Sequence, residues 1–414
     1  MRPERVAATV RPAHAGARRV LLVEHSETGH VGGSLTGLLH LIRALDTERW
    51  DPSLLLYEPK GLDGLIDPAR VIVLPGDPHA IRAVRRGFDT RTGRLADMRR
   101  AVGAVRRFVQ QVLPKARVLL PVFREARPDV IHLGNGIKPN LDGVVAARWA
   151  GIPCIAHEKG LVRYTPFDRL WARAVDACVC MTDVVRRHLV AQGVRGCRMP
   201  VVHDGIDLSG FEPRRPRDAV RAELGLAPDA LAIGMTVNIQ PWKGQDVTLR
   251  AFAELAAEFP TLVCVLAGGV VRGTEEFMAG LDAFVRERGL ADRVRFLGHR
   301  NDVPDVVAAL DVVVHASVTP EPFGRVLIEA MGLAKPLVAI AEGGVPEIVD
   351  DGKTGFLVPA RDHDAMARAL RPLLQSADLR ASMGERGRRR VREHFSVDGF
   401  ARAMEAVYAE VLGG

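Results

Sequence analysis

The residues best suited to chemistry in this 414-residue chain are two carboxylates eight positions apart, Glu321 and Glu329. They lie in Thr319-Pro-Glu-Pro-Phe-Gly-Arg-Val-Leu-Ile-Glu-Ala330. Glu321 falls in a turn after an apolar run ending near Ser317. Pro322 delays the helix that follows, and Gly324 lets backbone approach a ligand closely. That helix starts near Phe323–Arg325, where free N–H groups and the positive dipole end suit a phosphate. Glu329 sits just over one turn in. One carboxylate before the helix and one on it can accept hydroxyls on either side of a diphosphate, the layout of ribose, diphosphate and sugar in a nucleotide sugar. Lys243, in Val237-Asn-Ile-Gln-Pro-Trp-Lys-Gly244, can offset the charge of a leaving diphosphate. Trp242 beside it reads equally as a stacking platform or as packing. A third segment, Ala341-Glu-Gly-Gly-Val-Pro-Glu347, is another strand-to-helix turn, in which Glu347 could bind or cap. Gly32-Gly33 is a fourth, and taken alone it reads as readily as a plain tight turn.

Two runs of alternating strands and helices must position these groups. The first has strand candidates Arg19–His25, Ser53–Tyr57, Val71–Leu74, Val130–Leu133, Cys154–His157, Ala177–Met181 and Pro200–His203. The second has Leu231–Asn238, Thr261–Gly268, Val294–Gly298, Val312–Ser317, Pro336–Ala341 and Phe356–Pro359, with helices such as Gly244–Glu258 and Asp364–Leu374. Near-continuous apolar strands between helices predict parallel sheets covered on both faces. The Pro-, Arg- and Gly-rich stretch 204–228 reads as a loop between domains. The expected fold is therefore α/β, two doubly wound Rossmann-like domains facing a cleft. The divisions are a flexible leader at 1–18, an acceptor-side domain at 19–204, a donor-side domain at 205–395, and a helix at 396–414 packing back toward the first domain.

Taken together, these segments resemble the retaining nucleotide-sugar glycosyltransferases of family 4, which have the GT-B fold. The resemblance covers about residues 19–412. It rests on Glu321–Glu329, Lys243-Gly244, Gly343-Gly344-Val-Pro-Glu347, His203-Asp-Gly-Ile-Asp207 and Asp351-Gly-Lys-Thr-Gly355. It implies that Glu321 holds the donor sugar's hydroxyls, that the amides of Phe323, Gly324 and Arg325 with Lys243 bind the diphosphate, and that Glu329 accepts from the ribose. The loop His299-Arg300-Asn301 would contact the base, and Gly32 and Gly33 would lie near the phosphates and acceptor. Asn238 stands where the family usually carries an arginine, a charge that Arg325 or Arg300 would have to supply. In His157-Glu-Lys-Gly160, Lys159 occupies the usual histidine position, so His157 or Lys159 takes over that contact. The Gly-Gly loop is also altered, to His30-Val-Gly-Gly-Ser34. The implied reaction is metal-independent transfer of a sugar, with retention, to a glycan, lipid-linked or small-molecule acceptor, with no cofactor beyond the nucleotide-sugar donor. The other readings are a non-catalytic scaffold subunit of this fold, or another nucleotide-sugar enzyme such as a sugar-phosphate synthase.

The chain carries a net charge of +7, but residues 82–127 alone hold 13 basic residues against three acidic ones. This local excess exceeds the whole chain's, so the remainder is slightly acidic. Val102, Val105, Phe108, Val109 and Val112 recur there at helical spacing between arginines, and Pro114 is expected to end that helix. Such a helix either lies on an anionic membrane surface or packs with a solvated arginine face. Without interleaved aromatics or a recognition motif, nucleic acid is not expected as a partner. No apolar run reaches the ~18 residues of a membrane span, and the start of the chain lacks a signal-peptide core. A cytoplasmic protein, at most peripheral on the inner membrane face, is expected. Five cysteines, of which Cys178 and Cys180 alternate along one strand with no second cysteine or histidine pair at zinc spacing, predict core thiols and no metal site. Gly352-Lys353-Thr354 lacks the first glycine of a phosphate-binding loop, and Asp362 before Asp364 reads as a helix cap.

Overall fold

The computed structural model describes residues 16–25, 33–62, 64–74, 103 and 105–413. Most of the leader, Gly32, and residues 82–102 of the basic segment lie outside them. The chain forms two compact units, one from residues up to Gly205 together with Val397–Gly414, the other Ile206–Ser396. Among the described residues no helix is long and apolar enough to cross a membrane.

The first unit holds one six-stranded sheet: β1 (Arg18–Glu24), β2 (Trp50–Leu56), β3 (Val71–Val73), β4 (Val130–Leu133), β5 (Cys154–Glu158) and β6 (Ala177–Cys180). Every pairing is parallel, in the order β3-β2-β1-β4-β5-β6. Alternation along β1 sends Leu21 and Val23 to one face and Val20 and Leu22 to the other. The first pair packs with Phe123 of the helix Leu113–Ala126 and Val144 of Leu141–Ala150. The second pair packs with Leu35 and Leu38 of the helix Gly33–Ala44 and with Phe400, Met404 and Tyr408 of Val397–Val411.

The second unit repeats the plan with β7 (Ala232–Thr236), β8 (Val263–Ala267), β9 (Val294–Gly298), β10 (Val312–His315), β11 (Leu337–Ile340) and β12 (Gly355–Val358), ordered β12-β11-β10-β7-β8-β9 and all parallel. Numbered from its own first strand, each sheet runs 3-2-1-4-5-6. This is the doubly wound order, whose switch point lies between the first and fourth strands. In the second unit that point falls between β7 and β10.

Several expectations need correction. Pro200–His203 is not a sheet strand; residues 198–201 make only two isolated bridges to β6, and Pro200 has no N–H to donate. The stretch read as a loop, 204–228, contains a helix, Arg217–Glu223. The buried Arg221 guanidinium ties that helix to the carbonyls of Ala227, Ala230 and Ala309. An eighteen-residue helix, Ala377–His394, escaped the sequence reading. Pro114 does not end the basic helix. A wide π-turn, Phe108–Val112, passes the Leu113 N–H to the Phe108 carbonyl, and Pro114 then sits in the first turn of Leu113–Ala126, where its missing N–H is harmless.

Candidate functional site

In the second unit the three glycine-bearing turns converge on one carboxylate. The turn after β7 ends at Gly244, whose φ of 72° belongs to the left-handed region. A Cβ there would stand 2.0 Å from the Ala316 carbonyl oxygen just beyond β10, so only glycine permits this approach. The Val318 N–H donates to the Trp242 carbonyl at 2.8 Å, fastening the two segments together. Lys243 is thereby carried to Glu321, with Nζ 2.8 Å from Oε1 and 3.9 Å from the centre of the Trp242 ring. From the other side, the Gly344 N–H donates to the Glu321 carbonyl at 2.8 Å, and a Cβ on Gly343 would lie 2.1 Å from that same oxygen.

The second carboxylate oxygen of Glu321 is held from β10. His315 Nε2 lies 2.6 Å from Oε2, and the Ser317 hydroxyl donates to it at 2.7 Å. Burial works against the ionised form, but the bonds and charges of His315 and Lys243 prevail and hold the carboxyl well below its usual range. Glu321 is therefore an anion at any working pH and cannot serve as a proton donor. His315 and Ser317 were missed in the sequence. The available signal was a histidine closing the apolar run Val312–Val314, two residues before a serine.

Gly324, with φ 100°, starts the helix Arg325–Gly332, whose first turn presents N–H groups with no partner inside the helix. Glu329 pairs with Arg325 at 3.3 Å; burial pushes its carboxyl up, and Arg325 offsets part of the rise. The exposed Asn238 offers its carbonyl to Gln245 at 2.9 Å. Beyond β9, His299 Nε2 meets Asn301 Oδ1 at 3.1 Å. Arg300 does not turn its charge toward Lys243. Its guanidinium is held by Asp302 at 2.6 and 2.8 Å and by Glu223 at 2.9 Å.

In the first unit, Gly33 opens the helix Gly33–Ala44 and Gly32 lies outside the described residues. His157 is wholly buried, against the expectation of a ligand contact. It belongs to the β5 face that meets His132 and Phe400, and among the described residues neither ring nitrogen has a hydrogen-bond partner. Burial, then the Lys159 charge, lowers its pKa, so it is a neutral core residue. Lys159 pairs with Asp204 at 3.5 Å, both nearly buried. A Cβ on Gly37 would fall 2.9 Å from Lys159 Nζ, so this glycine makes room for the pair. At the carboxyl end of β1, buried Glu24 accepts from Ser34 at 3.1 Å and from Asn135 at 3.3 Å, a cluster the sequence reading also missed.

Asp362 caps the helix His363–Gln375 by accepting from the Ala365 N–H at 2.8 Å. Among the described residues one trio could meet a metal, Glu254, His363 and Asp364. Both of its carboxylates are exposed. All five cysteines are free thiols.

The family described as Glycosyl transferases group 1 matches residues 216–390, and Glycosyltransferase Family 4 matches residues 31–209. A lipopolysaccharide core biosynthesis mannosyltransferase, LpcC, of Rhizobium leguminosarum bv. viciae is 31% identical over 61% of this chain and 69% of its own length. A D-inositol 3-phosphate glycosyltransferase of Streptomyces avermitilis is 39% identical over 59% of this chain, and the match spans about half (52%) of that relative. Among solved structures, a glycosyltransferase from Rickettsia africae superposes over 96% of this chain and 99% of its own, with a TM-score of 0.79 at 18% identity. Anabaena Alr3699/HepE in complex with UDP-glucose covers 95% of this chain and 99% of its own, with a TM-score of 0.74 at 22% identity. The fold is that of these GT-B proteins, and the chain belongs to the group 1 glycosyltransferases of the family 4 type.

Proposed function

We propose that the chain moves a sugar from a nucleotide-diphosphate sugar to an acceptor hydroxyl, with retention at the anomeric carbon, in the synthesis of a glycan, polysaccharide or glycolipid. The observation that carries this reading is the Lys243–Glu321 pair, seated where β7 and β10 diverge and beside the start of the helix Arg325–Gly332. Glu321 accepts from the sugar's hydroxyls. Lys243 and the amides of Phe323, Gly324 and Arg325 hold the diphosphate. Glu329 accepts from the ribose, and the backbone at 299–301 borders the base. In the first unit, Gly32, Gly33 and Lys159 are the residues assigned to the phosphates and acceptor. The anomeric C–O bond to the diphosphate breaks, a C–O bond to the acceptor forms, and the acceptor's proton passes to the leaving diphosphate. Cationic Lys243 and the helix dipole stabilise that leaving group without a metal. The relatives named for D-inositol 3-phosphate and for lipopolysaccharide core support an acceptor in glycolipid or surface-glycan synthesis.

The test is a panel of UDP-, GDP- and ADP-sugars with acceptor extracts, following release of nucleoside diphosphate. Release that is lost in Glu321→Ala supports the reading; silence across the panel defeats it. We also propose contact with an anionic membrane face through residues 82–127. Val105, Val109 and Val118 are about half exposed, with Arg106, Arg107, Arg117 and Arg124 exposed beside them. Salt-sensitive sedimentation with phosphatidylglycerol vesicles supports this contact, and its absence at low salt defeats it.

A further inference from the structure

We infer that His315, together with Ser317, positions the Glu321 carboxylate for the donor sugar, an assignment that rests on the donor site proposed above. Strand period places His315 and Ser317 on the same side of the chain leaving β10, and both are within 2% of full burial. Their bonds of 2.6 and 2.7 Å end on one oxygen, Glu321 Oε2. A carboxylate offers about four lone-pair positions. Oε2 is thus filled from the strand, while Oε1 carries Lys243 alone among the described residues and is the oxygen left to face a ligand.

The division of labour follows from which partner can leave. Lys243 is a flexible cation that a diphosphate can draw away, freeing Oε1 for a sugar hydroxyl. His315 and Ser317 are anchored in β10 and stay, so the carboxylate keeps its rotation during the exchange. Without them the carboxylate is free to rotate and no longer presents Oε1 to the sugar hydroxyl, while the diphosphate still draws Lys243 away. The fold alone does not call for this histidine. Its Nδ1 is buried with no hydrogen-bond partner among the described residues, a penalty that an apolar ring would not incur.

The test uses the full chain, with UDP-, GDP- and ADP-linked glucose and mannose and with UDP, GDP and ADP alone. In His315→Phe and Ser317→Ala we expect kcat/KM for the sugar nucleotide to fall ~10- to 150-fold, the value of a hydrogen bond to a charged group. The Kd for the bare diphosphate should stay within about threefold, and His315→Gln, which restores an N–H of similar reach, should recover most of the loss. A merely structural role would move both nucleotides together and would not be rescued. Wild-type kcat/KM in His315→Phe, equal losses for sugar nucleotide and diphosphate, or no recovery in His315→Gln overturns the inference. If His315→Phe does not fold, Ser317→Ala decides, since it removes one donor from the same oxygen. Loss in Glu321→Ala without loss in the His315 and Ser317 variants removes the positioning role and keeps the donor site. No turnover of any sugar nucleotide by the wild type removes both.

Discussion

Replacing Gly244 with alanine probes the seam that carries Lys243 to Glu321. The new Cβ would start 2.0 Å from the Ala316 carbonyl oxygen, and real Cβ atoms essentially never come within 3.0 Å of such a neighbour. The two backbones must therefore part by about 1 Å. An L-residue in the left-handed conformation costs ~1–2 kcal/mol. Loosening the Trp242–Val318 hydrogen bond costs ~1 kcal/mol more. The sum, ~2–3 kcal/mol, corresponds to a fall of roughly 5–10 °C in Tm for a unit of this size. A misplacement of ~1 Å at reacting groups costs ~100-fold in rate. Gly352→Ala is the matched control: Gly352 has the same φ of 72° but nothing within 4 Å of its would-be Cβ. It should show the backbone strain alone, with turnover intact. Urea unfolding followed by circular dichroism, and nucleoside diphosphate release, read the two effects. If Gly244→Ala matches Gly352→Ala in both, the close approach of the two turns does not hold Lys243 in place, and the reasoning fails.

Lys243→Met should lower turnover ~100- to 1,000-fold, the usual effect of losing one group that stabilises developing charge. The same variant has a pH signature. Glu321's native pKa is depressed, so its contribution to stability is present above ~4.5 and is lost as pH falls toward the native value. Removing Lys243 raises that native value, so the stability gap between wild type and variant should narrow as pH falls through the variant's raised value, below ~4.5; urea midpoints from pH 7 to ~3 check this, and a gap that widens on acidification contradicts it. His157 has a lowered native pKa as well: its native form stays neutral, so the unfolded chain gains a proton first and stability should fall as pH drops below ~6.5. His157→Phe should flatten that fall between pH 6.5 and 5, as seen in the same urea midpoints. Turnover in excess EDTA should remain within about twofold of the untreated enzyme; a large loss restored by a divalent cation would show that Lys243 and the helix amides do not suffice.

The strands around the candidate site were legible because parallel strands are buried on both faces and read as short apolar runs. The turns were legible because Gly244 and Gly343 sit where no Cβ fits. Other parts left weaker traces for definite reasons. The helix Ala377–His394 hides its apolar stripe because two of its four buried residues are glycines. A Cβ on Gly384 would lie 1.9 Å from the Ala334 carbonyl oxygen, and Gly387 faces Met331. Close packing through glycine leaves no hydrophobic period to read. The Arg217–Glu223 helix is short, and it docks through Arg221, a residue that sequence reading assigns to the surface. His157 misled because residue type says nothing about which face of β5 it occupies. His315 was overlooked for the converse reason: its partner, Glu321, lies six residues on, across a turn whose path the spacing does not fix.

The first unit draws part of its core from residues far along the chain. Phe400, Met404 and Tyr408 fill the sheet face lined by Val20, Leu22 and Ile155, and Tyr408 places its hydroxyl 2.6 Å from His132. The second unit, Ile206–Ser396, is continuous. During synthesis it can complete its core while the earlier unit still lacks a helix. The half that emerges first is therefore the half that matures last, and until residue 411 is in place it exposes a sheet face rich in leucine and valine. That interval, rather than the finished protein, is when the chain most needs protection from aggregation.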